Sequence, residues 1–563
     1  MKKLTALLLA LVLLLANTAA FAGSAAPEWS AFDELIAKIK STTDFVEREA
    51  LMHQAEDMLM ETGAIMPLYY YNDIFMAKSS LTGYYYNAYG FKFFQHASNG
   101  DKNFASLNIA SEPDKLDPAL NSSVDGAIMA IASFGGLYTY DENQAVVPNF
   151  ATGSTVSEDG LTYTFTMREG LQWSDGTPLT AADFEYSWKR AAASETAADY
   201  SYMFDVIKGF PDNLAVTASE DGTTLTVELN SPCAYMLDLA AFPAYFAVPK
   251  HAVEAAEGYK DASGKVVNPG AWALEPGFPT SGAYTLTEWK HDESMVYTKN
   301  PNYYDAANVK LERLEFMLSA DSTVTYAAYN AGNLDFIDDV PTDEIANVKD
   351  TEEFHSVGQL GTYYAIFNVN SPLFEGKTVE QANAMRKAFA VLANRDYIVE
   401  VIGNTGQVPA NAFIPAGMAN GHGGEFKVST DTYSYPVAEE NGYYTLNYDE
   451  DKAVETAVTL LKEAGYEFDE NNMLSASTPI SFEYLTNVGK GHEAVAQALQ
   501  QDFAAIGINM TIKNIDWKVF LNERKAGNFD FARNGWIADF NDPINMLEMW
   551  TTASGNNDAQ FGK

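Results

Sequence analysis

Cysteine is almost absent: Cys233 is the only one in 563 residues. No intramolecular disulfide can form, and a lipid anchor, which needs a cysteine at the leader's cleavage point, has none to use. Positive charge is also scarce. With 35 Lys and Arg against 76 Asp and Glu the formal charge is -41, which argues against nucleic acid and anionic lipid surfaces as partners. Acidity on this scale reads as a means of keeping a secreted protein soluble. Long apolar runs are missing beyond the first residues, so no later segment reads as a spanning helix. The run from Leu4 to Ala16, behind Lys2 and Lys3 and ahead of Ala20-Phe21-Ala22, has the form of a secretory signal peptide cut after Ala22. The expected mature chain is soluble, in the periplasm or outside the cell.

The spacings that catalysis needs are missing too. Of seven His residues none opens a His-Glu-x-x-His pair; "HDES" at His291 and "HEAVA" at His492 lack the second ligand. There is no Gly-x-Ser-x-Gly elbow. "NVGKGH" lacks the upstream glycine and the Ser or Thr of a phosphate loop, and neither Asp449-Glu450-Asp451 nor "EFDENN" continues into a calcium loop. The expectation is a protein that is not an enzyme and has no cofactor and no metal; a secreted hydrolase is the weaker alternative.

What is present is ample core-forming material, 47% hydrophobic over a length that suggests two or three domains. Asp44 with Glu47, Thr180 with Asp183 and Thr378 with Gln381 read as capping boxes opening helices, the first of which stops at Gly63. "LTYTFTMREGLQWSDG" alternates apolar and polar residues between Asp-Gly turns and reads as paired strands. In the last third, "PISFEYL", "INMTIKNI" and "FDFARNGW" are strands separated by two helices, a pattern that implies parallel pairing. Ligands of such sheets bind beyond the carboxyl ends of strands, which directs attention to "IADFNDP". "HASNGDKNFAS" reads as a surface loop.

Three stretches are more specific: "SEPDKLDP" (111–118), "SEDGLTYTFTMREGLQWSDGTPLTAADFEYSWKR" (157–190) and "INMTIKNIDWKVFLNERKAGNFDFARNGWIADFNDP" (508–543). They resemble the peptide-binding proteins that serve ABC importers, the extracellular solute-binding proteins of family 5. Ordered matches in "SGAYTLTEWKHDES", "KNPNYYD", "YNAGNLDF" and "RKAFAVLANRDYI" extend the resemblance over nearly all the mature chain. In that family a helix like "PEWSAFDELIAKIKSTTDFVEREALMHQAEDMLME" and a strand like "PLYYYND" close the chain, after the "WIADFNDP" motif. Here they come first. Joining "NNDAQFGK" to "PEWSAFDELI" restores the family order, so the chain resembles a circular permutant, with "SNGDKN" linking the old ends and "TTASGNNDAQFGK" expected as an exposed loop. The alternative is a rearranged gene product without function.

The resemblance implies a two-lobed α/β periplasmic-binding-protein fold with an extra subdomain in lobe I. It divides the chain into a signal peptide (1–22), a first piece of lobe II (23–66), strands of lobe I (67–97), the linker (98–104), the rest of lobe I (105–316) and the rest of lobe II (317–563). Crossings near Pro67 and Phe316 would absorb hinge motion. It further implies an oligopeptide ligand, delivery to an ABC-type permease and a monomeric state; dipeptides, nickel complexes and sugars are the alternative ligands within the fold. Asp539 matches the aspartate that takes the ligand's ammonium group. Trp517, Trp536 and Tyr71 match aromatic residues near the ligand, and His492, Arg524 and Arg533 match basic groups in or around the cleft. Glu112 is expected to pair with one of these basic groups. Gly135 stands where many relatives carry an acidic residue.

Overall fold

The computed structural model describes residues 25–109 and 112–563; the expected signal peptide lies outside them. Among the described residues no helix is long and apolar enough to cross a membrane. The elements that position the site begin with helices α1 (Ser30–Ser41) and α2 (Phe45–Glu61), strand β1 (Ile65–Ala77), β2 (Phe104–Asn108), α3 (Val124–Ser133) and α4 (Ala181–Ala192). Strands β3 (Tyr284–Lys290), β4 (Ser294–Lys299) and β5 (Arg313–Met317) follow, then helix α5 (Ser322–Asn330) and strands β6 (Phe336–Ile337) and β7 (Phe354–Phe367). The remainder is α6 (Val379–Leu392), β8 (Ser481–Asn487), α7 (Lys490–Ala504), β9 (Asn509–Ile515), α8 (Trp517–Lys525), β10 (Phe531–Ile537) and α9 (Ile544–Glu548).

Local signals explain the ends of several elements. Thr180 and Asp183, and likewise Thr378 and Gln381, form reciprocal capping boxes at α4 and α6. Asp44 caps α2 by accepting from the Val46 and Glu47 N–H groups, while the Glu47 side chain turns instead to Lys38, 3.6 Å away. Gly63 ends α2 at a φ of +63°, in the left-handed region that glycine tolerates.

The strands make one 11-stranded sheet in the order β3-β4-β5-β2-β6-β1-β7-β10-β8-β9, with Val408–Pro409 added against β1. β1 and β7, 13 and 14 residues long, pair antiparallel along most of their length and tie the two halves together. At one end β1 pairs with β6 of lobe I; near Tyr69 and Tyr70 it pairs with Val408–Pro409 of lobe II. Two register shifts, between Pro67 and Tyr69 and between Tyr70 and Asn72, bracket the tyrosine triplet, where they bend the strand and re-aim its side chains. A separate four-stranded sheet with α4 against it forms the extra subdomain of lobe I.

Three expectations change. The second crossing is not at Phe316 but along β7: after β5 the chain returns through α5, and β6 pairs in parallel with β2 of lobe I. Tyr329, Leu334, Ile337, Val340, Ile345 and Val348 then close a second small core with Met76. In "LTYTFTMREGLQWSDG" only Thr162–Met167 is a strand, paired with residues outside the stretch, because the downstream half turns back on itself through a bridge from Gln172 to Pro178. "TTASGNNDAQFGK" is not an exposed loop, for its polar side chains are used internally. Asn557 donates to the Thr551 and Phe561 carbonyls, and the Phe561 ring stacks on Trp29 at 3.9 Å.

Candidate functional site

Between the lobes lies a cavity of about 240 Å³. Lobe II contributes Trp517 and Arg524 from α8, Arg533, Gly535 and Trp536 from β10, and Asp539 just beyond it; Tyr71 of β1 enters from the hinge. Lobe I supplies the opposite wall, with Tyr89, Asp125, Tyr200 and Phe242.

β10 is the scaffold of the site. One edge pairs with β7 from Gly361 to Phe367, whereas β8 covers the other edge only at Phe531 and Ala532. From Arg533 to Ile537 the second edge carries no strand among the described residues. Tyr71 crosses β10 at Gly535, where a Cβ would come 2.1 Å from the Tyr71 hydroxyl oxygen; only glycine leaves room for that ring. Alternation along β1 sends Tyr69 and Tyr71 to the side of Tyr363, with Tyr69 stacked on it at 4.6 Å, and sends Tyr70 to the other face near Asn411 and Ala412.

At one end of the cavity Asp539 is 6% exposed. Its backbone N–H donates to Asn545 Oδ1 at 3.0 Å, Asn545 Nδ2 donates to its Oδ2 at 3.1 Å, and the Tyr200 hydroxyl of lobe I donates to its Oδ1 at 3.4 Å. Trp536 is held beside it by a 3.0 Å bond from its indole N–H to Asn545 Oδ1. Burial pushes the Asp539 carboxyl up to about 7; the neighbouring Glu548 adds to the shift, while the Asn545 and Tyr200 bonds oppose it. Among the described residues no cation pairs with Asp539.

The other end holds Arg533. Its guanidinium stands over the rings of Tyr363 and Trp517, at 5.1 and 5.6 Å, and donates to the Tyr71 hydroxyl at 3.3 Å. It is 9% exposed, and among the described residues no carboxylate neutralises it. His492 stacks on Tyr363 with Nδ1 3.1 Å from its hydroxyl oxygen. Burial, reinforced by Arg533, holds His492 well below its ordinary pKa, so the imidazole is neutral.

Two candidate residues stand apart from this arrangement. Arg524 lines the cavity, but its Nε lies 2.8 Å from Asp558, which also accepts from Asn534; its charge is already matched. Glu112 does not pair with any cleft arginine or histidine. Its segment turns to the β3–β4 hairpin, where Glu112 accepts from the Asp292 N–H and sits 2.8 Å from His291. At Gly135 a Cβ would come 2.9 Å from the ends of the Asn149 and Phe150 side chains, so an acidic residue there requires those side chains to shift. Tyr200 and Asn545, both bonded to Asp539, are positions in the candidate site that the sequence did not single out. Asn545, in the "NDPIN" run just past the motif, carried a weak signal of proximity; Tyr200 lies in an irregular stretch with no periodicity and carried none.

Over residues 145–558 the chain matches the bacterial extracellular solute-binding proteins, family 5 (middle part). It belongs to that family. The dipeptide-binding protein DppE of Bacillus subtilis is 30% identical over 461 residues, covering 80% of this chain and 77% of that protein. The oligopeptide-binding protein OppA of the same organism is 29% identical, covering 81% and 79%. A solved structure of the murein tripeptide binding protein MppA of Escherichia coli, 27% identical, superposes with a TM-score of 0.68 over 82% of this chain and 84% of that one. MppA in a form described as unliganded and open gives only 0.51 over the same shares. The family 5 fold has two lobes around a cleft, and here the lobes are arranged more as in the former structure than as in the open form.

Proposed function

We propose that this family 5 protein captures short peptides between its lobes and delivers them to an ABC-type permease. The observation that carries the reading is a buried acid and a buried base in one cavity, Asp539 and Arg533, neither of which meets a counter-ion among the described residues. A zwitterionic chain satisfies both: its ammonium group on Asp539 and a carboxylate on Arg533. The bare edge of β10 between them offers backbone groups to an extended ligand, the one feature all peptides share. Both residues line the same cavity of about 240 Å³, room for a short peptide and not a long one. Trp517, Trp536 and Tyr71 would flank the ligand's side chains, and neutral His492 would orient Tyr363 without adding charge.

The reading includes a secreted, monomeric, non-enzymatic protein whose segment order is permuted relative to its family. In support of that order, α1 and α2 pack against α9, Trp29 donates to the Trp550 carbonyl, and Asp33 accepts from the Thr552 N–H. A chain re-cut to start at Asn103 and to run through residue 563 into Pro27 should fold with the same melting behaviour; a re-cut chain that does not fold speaks against the permuted order.

The deciding experiment is mass spectrometry of small molecules released on denaturing natively purified protein, followed by calorimetry with tri-alanine. A ladder of short peptides, and binding lost on acetylating the amino end, are expected. An empty protein, or one carrying a sugar, overturns the reading.

A further inference from the structure

Among the described residues three ion pairs cross from one lobe to the other, and all have the same polarity. Lys40 of α1 reaches Asp205 at 2.6 Å, Lys525 of α8 pairs with Asp199, and Lys518 of α8 lies 3.5 Å from Asp114. In each case lobe II supplies the lysine and lobe I the aspartate. The polarity matters because the chain carries 76 acidic against 35 basic residues, so bringing two acidic bodies together costs repulsion unless cations line the seam.

The pairs also sit at both ends of the cavity. Lys518 directly follows Trp517, which packs on Arg533, while Lys525 stands at the other end of that helix and its partner Asp199 directly precedes Tyr200, the donor to Asp539. Lys40 serves the Asp539 end: its ammonium also pairs with Glu548 of α9, the carboxylate that helps raise Asp539. The Lys40 side chain is 20% exposed and Glu548 5%. Burial opposes the charge on Lys40, and the two carboxylates outweigh it. Around Lys40 the seam is tightened by Ser231, whose hydroxyl donates to the Lys40 carbonyl, and by Tyr235 of lobe I stacked on Phe540 of lobe II at 4.2 Å. Opening the lobes leaves Lys40 with Glu548 but strips it of Asp205.

We propose that Lys40, Lys525 and Lys518 form an electrostatic clasp with Asp205, Asp199 and Asp114 that holds the closed form and sets how long a bound peptide is retained. They are positioning residues: none is called on to touch the ligand. The proposal rests on capture by lobe closure, so its test reads closure with and without peptide. Full-length wild type, Lys40→Met, Lys525→Asp, Asp199→Lys and the Lys525→Asp/Asp199→Lys double variant would be compared at low and high sodium chloride. Small-angle scattering without added peptide reports closure; stopped-flow tryptophan fluorescence with tri-alanine reports dissociation, through Trp517 and Trp536.

The single variants are expected to have a larger radius of gyration and to release tri-alanine about 3- to 10-fold faster, with association little changed. The double variant restores both. High salt speeds release from wild type more than from Lys40→Met. Single variants that match wild type in scattering, or a double variant that fails to restore it, overturn the clasp. If wild type closes and the swap behaves as expected while tri-alanine does not bind, the clasp stands and the peptide reading falls.

Discussion

Arg524 and Arg533 come from neighbouring elements, line the same cavity and are both under a tenth exposed, yet they are held in opposite ways. Arg524 spends its charge on Asp558 and belongs to the framework of lobe II. Among the described residues Arg533 meets aromatic faces and a hydroxyl but no carboxylate. A buried charge with its counter-ion in the fold is structure, and a buried charge without one is a place kept for a ligand, because the protein bears the desolvation cost that the ligand later offsets.

The sharpest way to break the comparison is to remove each charge in turn. Arg524→Leu leaves Asp558 buried with the Asn534 amide but without its paired guanidinium and should cost about 3–5 kcal/mol of stability in a denaturant titration, with tri-alanine affinity much less changed. Arg533→Leu should do the reverse. It removes an unmatched charge, so the unfolding midpoint holds or rises, while affinity measured by calorimetry falls by about 2–5 kcal/mol. Equal stability loss in both variants would erase the distinction.

Asp539 is the acidic counterpart of Arg533, and pH sharpens its role. An acid held at about 7 in the fold, against an ordinary value near 3.8, binds its proton more tightly folded than unfolded. Its contribution to stability is therefore favourable at low pH and declines as pH rises from about 4 to 7. Asp539→Asn should lack that decline in urea titrations across the window. Ligand binding runs the other way, since an ammonium group needs the ionised carboxylate. Below pH 7 affinity should weaken by about tenfold per unit, with a proton released to buffer on binding; a flat profile would remove Asp539 from ligand contact.

Smaller effects test the neighbours of these charges. Gly535→Ala places a Cβ against the Tyr71 hydroxyl and should cost about 1–3 kcal/mol, read as weaker tri-alanine binding, because Tyr71 is also the Arg533 acceptor. Tyr200→Phe removes one bond across the cleft to Asp539 and should change affinity by about 0.5–1.5 kcal/mol.

Much of lobe II was legible in advance. The strand–helix alternation from Ser481 to Ile537 appears as expected, with β8 parallel to both β9 and β10, because apolar periodicity and Gly507 and Gly527 mark each element locally. The capping residues at Thr180 and Thr378 were legible for the same reason. The "WIADF" motif supplies Trp536 and Asp539 to the cavity lining. That Arg524 is already paired was not legible, since its partner Asp558 sits in a turn whose course no periodicity reveals. Glu112 was misplaced because its partner His291 belongs to a hairpin far along the chain.

By itself the sequence determined the acidity of the chain, the nature of most helices and strands, and the residue types available to a cleft, since these follow from composition and local pattern. The tertiary structure alone decided which charges are matched and which are open, where the hinge crosses, and that lysines of one lobe meet aspartates of the other. Those outcomes depend on contacts between residues hundreds of positions apart, and Coulomb interactions and burial act on distance in space, not on distance along the chain.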